Sequence, residues 1–133
     1  MGGPGSGRKG VPRKGNRFED VFLNAYYLWY KDKAKERGIE WGLEANPGQF
    51  TIVTTQCVYC GAFPCRKVRG RGKTRGYAHG LDRIDNSRGY TEDNIVACCY
   101  TCNRAKGTLS MKDWQEWADR FVAHRPLWKE IAG

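Results

Sequence analysis

Two cysteine pairs with the same spacing carry the strongest chemical signal in the sequence. In each pair two residues separate the cysteines, and the pairs lie a few tens of residues apart. Four thiolates from two such pairs are a common ligand set for a tetrahedral structural zinc ion. Cys98 competes with Cys99 for a place, but only Cys99 has the two-residue spacing, and Cys65 is left over. The predicted zinc ligands are Cys57, Cys60, Cys99 and Cys102.

The stretch between the two pairs is unusually polar. Residues 78–94 are rich in potential metal ligands and phosphate-binding groups and poor in bulky apolar side chains. A unit of this size buries little core, so a structural Zn²⁺ would supply much of its folding free energy. The pattern therefore indicates a zinc-stapled scaffold that holds a small polar site.

Positive charge is concentrated in two segments. The chain carries 23 basic and 14 acidic side chains, for a net charge of +9. Residues 1–17 and residues 66–75 are basic and contain no acid. Such localised charge indicates a polyanionic partner, and its place beside the zinc ligands favours a nucleic acid over a merely solubilising surface. The basic residues of the second segment are Arg66, Lys67, Arg69, Arg71, Lys73 and Arg75.

The sequence also indicates where the protein works. No apolar run approaches the roughly 18 residues that a membrane span needs, and the first residues lack the apolar middle of a secretory signal. Six cysteines without an export signal favour metal binding in a reducing compartment over disulfide bonds. We therefore predict a cytoplasmic protein with no membrane partner.

The chain length predicts one domain with a loose end. Residues 1–16 are rich in Gly, Pro, Arg and Lys and are expected to be a flexible basic arm, and residues 17–133 to be a single domain. The domain should open with a helix over about 17–38, because apolar residues recur at helical spacing and Gly38 follows a cationic last turn. The face predicted to be buried consists of Phe18, Val21, Phe22, Ala25, Tyr26, Leu28 and Trp29.

The middle of the chain is expected to contain a zinc-stapled core over about 56–107. Residues 50–55 fit either a strand or a helical turn, and the glycine-rich basic segment 65–76 should be a mobile loop. Two short strands over 77–85 and 94–98 should precede a helix that begins near Thr101. These elements predict an α+β fold.

A last helix is expected over about 110–125. Ser110 and Asp113 resemble a capping box, and Pro126 is expected to end the helix. Its buried face should consist of Met111, Trp114, Trp117, Ala118 and Phe121.

The central motif resembles a known enzyme family. His79–Lys106, which reads HGLDRIDNSRGYTEDNIVACCYTCNRAK, is similar to the HNH (ββα-metal) endonucleases, particularly small zinc-stapled members found in phages. Tyr30–Trp41 and Gln56–Gly61 resemble the lead-in of those proteins, so the resemblance covers about residues 26–107. It implies a ββα-metal core with flanking helices and a metal-dependent DNA endonuclease that nicks or cuts phosphodiester bonds.

The resemblance also implies roles for individual residues. Asp82 and Asn103 would hold a catalytic Mg²⁺ or Mn²⁺, whose preference for oxygen ligands differs from that of zinc for thiolates. Asn94 would tie down the loop and orient the general base. Counting back from Asn94 makes His79 the base. Counting from Asp82 puts Arg83 in that position, where a guanidinium cannot accept a proton, so we predict His79.

The choice of His79 as the base places a demand on the strand. A bulge at Gly80 would be needed to bring His79 and Asp82 to one face of the strand. Arg83 and Lys106 are expected to contact phosphates, although either could instead pair with Asp85. Two alternative functions accompany this interpretation. The chain could be a non-catalytic zinc module that binds DNA or RNA. It could also be a junction-resolving nuclease, which requires a dimer. The sequence does not specify the oligomeric state.

Overall fold

A computed structural model describes residues 20–132, so the predicted arm over 1–16 lies outside the described residues. The fold is a mixture of helices and two small antiparallel sheets. No helix in the described range combines the length and apolar character that crossing a membrane requires. In chain order the elements are helix α1 (Val21–Glu36), a 3₁₀ helix (Pro47–Thr54), strands β1 (Lys67–Arg69), β2 (Arg75–Tyr77) and β3 (Gly80–Arg83), a 3₁₀ turn (Glu92–Asn94), strand β4 (Ile95–Cys98), helices α2 (Tyr100–Lys106) and α3 (Met111–Trp128), and a closing 3₁₀ turn (Lys129–Ala132).

Helix α1 begins and ends at capping residues. The Asp20 side chain accepts a hydrogen bond from the backbone N–H of Leu23 at 2.7 Å, and Gly38 follows the helix with φ at 69°. Tyr26, Tyr27 and Ala34 are buried on the helix, whereas Val21 is largely exposed. The helix was predicted correctly over the described residues, but its buried face includes Tyr27 and excludes Val21; the predicted face residue Phe18 lies outside the described residues.

The core of the fold is mainly aromatic. Phe50 is fully buried on the 3₁₀ helix, which answers the choice between strand and helical turn that the sequence leaves open. The rings of Tyr26 and Tyr27 meet the Phe50 ring edge-on at 5.4 Å each, an arrangement that aromatic quadrupoles favour. Trp41 and Tyr90 form an isolated parallel bridge that joins the lead-in segment to the β3–β4 loop.

Strands β3 and β4 are followed by helix α2, which is the order of elements that the sequence predicts. The two strands pair without interruption from Gly80 opposite Cys98 to Arg83 opposite Ile95, so there is no bulge at Gly80. Helix α2 follows β4 directly and ends at Gly107, whose φ of 54° lies in the left-handed region that glycine tolerates.

The basic segment predicted to be a mobile loop instead forms a β-hairpin. Strands β1 and β2 pair in register, with Val68 opposite Gly76. The hairpin lies flat against helix α1 because Gly76 has no side chain: a Cβ atom there would lie 2.4 Å from the ring of Phe22. The sequence prediction was wrong because it attributed the glycines to flexibility, whereas Gly76 permits close packing.

Helix α3 departs from the prediction in two ways. Ser110 caps it as expected, accepting a hydrogen bond from the Asp113 N–H, but the helix continues through Pro126 to Trp128. Proline removes one hydrogen bond, and with only a few residues left to the helix end this loss is tolerated. The expected buried face is also largely exposed. Trp114 alone of that predicted set is buried, and its ring begins a row of contacting aromatic side chains that continues with Trp117, Phe121 and Trp128.

Candidate metal centre and the polar groups around it

The four predicted cysteines come together as a metal-binding cluster. Their sulfur atoms all lie within 4.8 Å of one another, and the Cys60 and Cys99 sulfurs are 3.7 Å apart. Four sulfurs at about 2.3 Å from a tetrahedral zinc ion are separated by about 3.8 Å. The donor set therefore fits a structural metal such as zinc. Across residues 20–132 no other group of three or more His, Cys, Asp or Glu side chains is arranged this way.

Backbone hydrogen bonds fix the first cysteine pair in a tight turn. The N–H of Cys57 donates to the carbonyl of Ala62 at 2.8 Å, and the N–H of Gly61 donates back to the carbonyl of Cys57 at 2.9 Å. Gly61 has φ at 78°, which allows the turn to close. The neighbouring Val58 N–H donates to Ala97 at 2.9 Å, so the turn is attached to strand β4.

The second pair lies at the junction between β4 and α2. The Cys99 sulfur caps the helix by accepting a hydrogen bond from the Cys102 N–H at 3.3 Å. Cys98 is buried outside the cluster, and burial together with the nearby Asp82 charge raises the pKa of its thiol. Cys65 is exposed. The structure therefore selects Cys99 over Cys98, as the spacing predicted.

The surroundings of the cluster shift the pKa of its thiols. Burial alone would raise the pKa of the Cys57 thiol, but N–H donors from Cys99, Cys60 and Tyr59 lower it to about 6. Burial raises the pKa of the Cys102 thiol. Because a metal ion binds thiolates, metal binding must displace the proton that the raised pKa of Cys102 favours, so metal affinity falls as the pH falls.

Asp82 lies in a buried ion pair beside the cluster. The Lys106 ammonium is 3.1 Å from one oxygen of Asp82 and 3.3 Å from the other, and the Lys106 side chain is fully buried. The Tyr59 hydroxyl donates to the same carboxylate at 2.6 Å. Burial and the Asp82 carboxylate together raise the pKa of Tyr59, which keeps this hydroxyl protonated. The prediction that Lys106 contacts a phosphate is wrong, because no part of its side chain reaches the surface.

None of the other predicted catalytic residues forms a hydrogen bond with that ion pair within the described residues. Asn103 is exposed on helix α2, and no hydrogen bond to its side chain is formed by any described residue. His79 is buried, and its ring Nε2 donates to the Ala62 carbonyl at 2.7 Å. Asn103 and His79 both line a cavity between α1, the hairpin and α2, which we call the α1–α2 cavity; Asp82 is not among its lining residues.

Asn94 and Arg83 hold the loop between β3 and β4. The Asn94 side chain accepts from the Asp85 N–H at 2.9 Å and donates to the carbonyls of Asp85 and Gly89, so it ties down the loop as the resemblance implies. The Arg83 guanidinium donates to the carbonyls of Asn86 and Arg88 at 2.9 Å each. Arg83 therefore stabilises the loop, and a phosphate contact would have to compete with those carbonyls.

Three of the six basic residues of the 66–75 segment lie on the two hairpin strands, and all six are exposed. Arg69 and Arg75 are directly opposite each other, and Lys67 is opposite Tyr77, with its ammonium 5.7 Å from the ring centroid. Arg71 pairs with Asp32 on helix α1. The remaining two are Arg66 and Lys73.

Sequence reasoning missed two features of this region. Tyr59, the residue that links the first cysteine pair to Asp82, was not singled out, although its place between two metal ligands was a usable signal. The alignment of Arg69 with Arg75 was also missed, because a segment interpreted as a mobile loop has no strand register to predict.

The cysteine cluster gives a first prediction. Cys99→Ser should abolish stoichiometric zinc binding and lower the midpoint of thermal unfolding by more than about 10 °C, because metal binding and folding are linked. The measurements are zinc per chain by atomic emission and unfolding by circular dichroism. Cys65→Ser, which changes an exposed thiol outside the cluster, should leave both values unchanged. Full zinc occupancy in Cys99→Ser would contradict the assignment.

The buried ion pair gives a second prediction. Lys106→Met leaves the Asp82 carboxylate buried without its cation and should lower the free energy of unfolding by about 3–5 kcal/mol, measured in urea with zinc in excess. Adding Asp82→Asn should recover part of that loss, since the unpaired charge is removed. Lys31→Met, which breaks an exposed pair with Glu44, should cost less than about 1 kcal/mol. Equal losses in the two lysine variants would refute a stabilising buried pair.

Comparison with known proteins finds similarity to a viral protein. The chain is 34% identical over 86 residues to an uncharacterized protein, R423, of Acanthamoeba polyphaga mimivirus. The similar region spans 65% of this chain and 14% of the viral protein's length. No family profile matches the chain, and no solved structure does. The chain is thus similar to a small part of a much longer viral protein that has no described activity.

Proposed function

We propose that this chain is a zinc-stapled nucleic-acid-binding domain that contacts DNA phosphates through the outer face of hairpin β1–β2. The observation that carries the proposal is the composition of that face. Its side chains are Lys67, Arg69, Arg75 and Tyr77, all exposed, and no acidic residue lies on either strand.

The facing arginines support an anionic ligand. Side chains directly opposite each other on neighbouring strands are close together, and like charges in this position destabilise a sheet. A phosphate between Arg69 and Arg75 would relieve the repulsion and satisfy both guanidinium groups, which bind phosphate oxygens in a bidentate manner. Tyr77 adds a ring beside these cations, where a base or sugar can pack.

The shape of the hairpin also suits DNA. A two-stranded ribbon is one of the elements that the major groove of duplex DNA can accommodate. Because the hairpin is packed against Phe22 of helix α1, the backbone that carries its cations is held in place before a ligand binds. This preorganisation reduces the conformational entropy that binding would otherwise cost.

Removing the facing arginines tests this function. Arg69→Gln with Arg75→Gln should weaken duplex DNA binding and reduce the slope of log K against log salt by about 2, because about two phosphate contacts are lost. The measurement is fluorescence anisotropy at several salt concentrations. Thermal stability should not fall, since a repulsion is removed. Arg120→Gln, which changes an exposed arginine on α3, is the matched control. An unchanged slope in the double variant would exclude the hairpin as the binding surface.

Phosphodiester hydrolysis is the second candidate. It is favoured by the position of Asp82 on β3 and Asn103 on α2 within one ββα unit whose loop is tied by Asn94. Asp82 and Asn103 offer oxygen ligands of the kind that Mg²⁺ or Mn²⁺ prefers, and the Tyr59 hydrogen bond would orient the carboxylate. A bound cation would supply charge neutralisation at the scissile phosphate.

Two contacts weigh against hydrolysis and rank it second. The Lys106 ammonium already neutralises Asp82, so a divalent cation would have to share or displace it. The predicted base, His79, uses Nε2 to donate to Ala62, which leaves only Nδ1 to accept a proton. Binding of nucleic acid requires neither group.

A plasmid-nicking assay with Mg²⁺ or Mn²⁺ decides between the two candidates. Hydrolysis predicts metal-dependent nicking by the parent protein that falls to background in Asn103→Ala, because the helix ligand is lost. Gln115→Ala removes an exposed amide from α3 and should retain the parent's rate. Retained DNA binding without metal-dependent nicking between pH 6 and 9 would rule out the hydrolase.

A further inference from the structure

The α1–α2 cavity has the size of a ligand site. Its volume is about 680 Å³, within the range of pockets that hold small organic molecules. Trp29 and Tyr30 of helix α1 and Val68 of strand β1 contribute apolar wall. Gly80 lets strand β3 approach helix α1 closely, since a Cβ atom there would lie 2.9 Å from the Tyr30 hydroxyl. Aromatic side chains on the wall suit a ligand that carries an aromatic ring.

Polar groups on the cavity lining specify more of that ligand. Arg66 and Arg69 both line it and supply positive charge. The Arg66 guanidinium lies 3.7 Å from the centroid of the Tyr100 ring, a stacking contact that holds it in place. Asn103 adds an exposed amide that can both donate and accept. A planar group with hydrogen-bonding edges and an attached anion matches this set.

We propose that the α1–α2 cavity receives one unpaired nucleobase of the bound DNA, with its phosphate toward Arg66 and Arg69. This inference rests on the proposed function. Stacking on aromatic side chains accepts any base, because every base has a π face. A base within a duplex is stacked and paired, so it must leave the helix to enter such a cavity.

The position of Arg69 connects the cavity to the DNA-binding face. Its side chain belongs to the outer row of the hairpin and also lines the cavity. A strand whose phosphates contact Arg69 and Arg75 therefore runs past the mouth of the cavity. One nucleotide can rotate into the cavity while its neighbours keep their contacts with the hairpin.

Duplexes with the same number of phosphates test this proposal. In one probe a single base faces an abasic site and is unpaired, and in the other probe both positions are abasic. The parent protein should bind the first probe about 5- to 100-fold more tightly, the range expected from stacking one base. Fluorescence anisotropy at fixed salt gives both dissociation constants, and their ratio cancels the common contribution of the backbone.

Two variants should bring that ratio close to 1. Trp29→Ala removes a stacking wall, and Val68→Phe fills the cavity without removing a wall, so the two changes perturb folding differently. Both variants are compared with the parent for zinc content and thermal unfolding. Trp117→Ala, which removes a tryptophan from α3 outside the cavity, should keep the parent's ratio.

Each other outcome overturns a distinct claim. Tight binding of both probes with a ratio near 1 in the parent would refute the base site and leave DNA binding intact. Binding of neither probe would refute the proposed function together with this inference. Quenching of Trp29 fluorescence by a free mononucleotide as tightly as by the unpaired-base duplex would mean a site for small nucleotides rather than for a base of the DNA.

Discussion

The four-thiolate cluster is the constraint on which the rest of the described structure depends. It joins the turn that contains Cys57 and Cys60 to the junction of β4 and α2. These two places lie far apart in the sequence. The Val58–Ala97 hydrogen bond lies beside this connection, and so does the Tyr59–Asp82 bond. Because a unit of this size buries few apolar side chains, a metal held by the cluster would supply free energy that packing alone does not.

The molecule uses positive charge in two physically different ways. Lys106 is fully buried and pairs with Asp82, where its role is to neutralise a carboxylate in a low-dielectric environment. The hairpin cations are exposed, and two of them face each other without an acid between them. The first arrangement stabilises the folded chain, whereas the second would be stabilised by the anionic ligand that we propose. Net charge alone does not distinguish these roles.

The sequence predicted those parts of the fold that local patterns determine. Cysteine spacing identified all four cluster ligands, and alternating and helical patterns located β3, β4 and α2. It did not predict the hairpin, because Gly76 allows close packing against Phe22. Phe22 lies on α1, 54 positions earlier in the chain. Nor did it predict the burial of Lys106. Whether a lysine is buried or exposed depends on tertiary packing. A single sequence carries little information about this packing.

The candidate site was predictable in its residue types but not in its assembly. Asp82, Asn94 and Asn103 were all identified, and the structure gives them separate surroundings: an ion pair, a loop tie and a cavity wall. The difference arises because motif spacing fixes the position of a backbone segment, whereas the partner of each side chain depends on neighbours such as Tyr59 and Ala62. This is why binding is favoured over hydrolysis.

The contact between Trp114 and Tyr59 has a thermodynamic consequence for the last helix. Trp114 begins the exposed aromatic row of α3, and its ring packs edge-on at 5.5 Å against a tyrosine situated between two metal ligands. A metal bound by the cysteine cluster would therefore be coupled to the attachment of α3. By reciprocity, a molecule that binds the outer rings of this helix would alter metal affinity by the same factor with which the metal alters its own affinity.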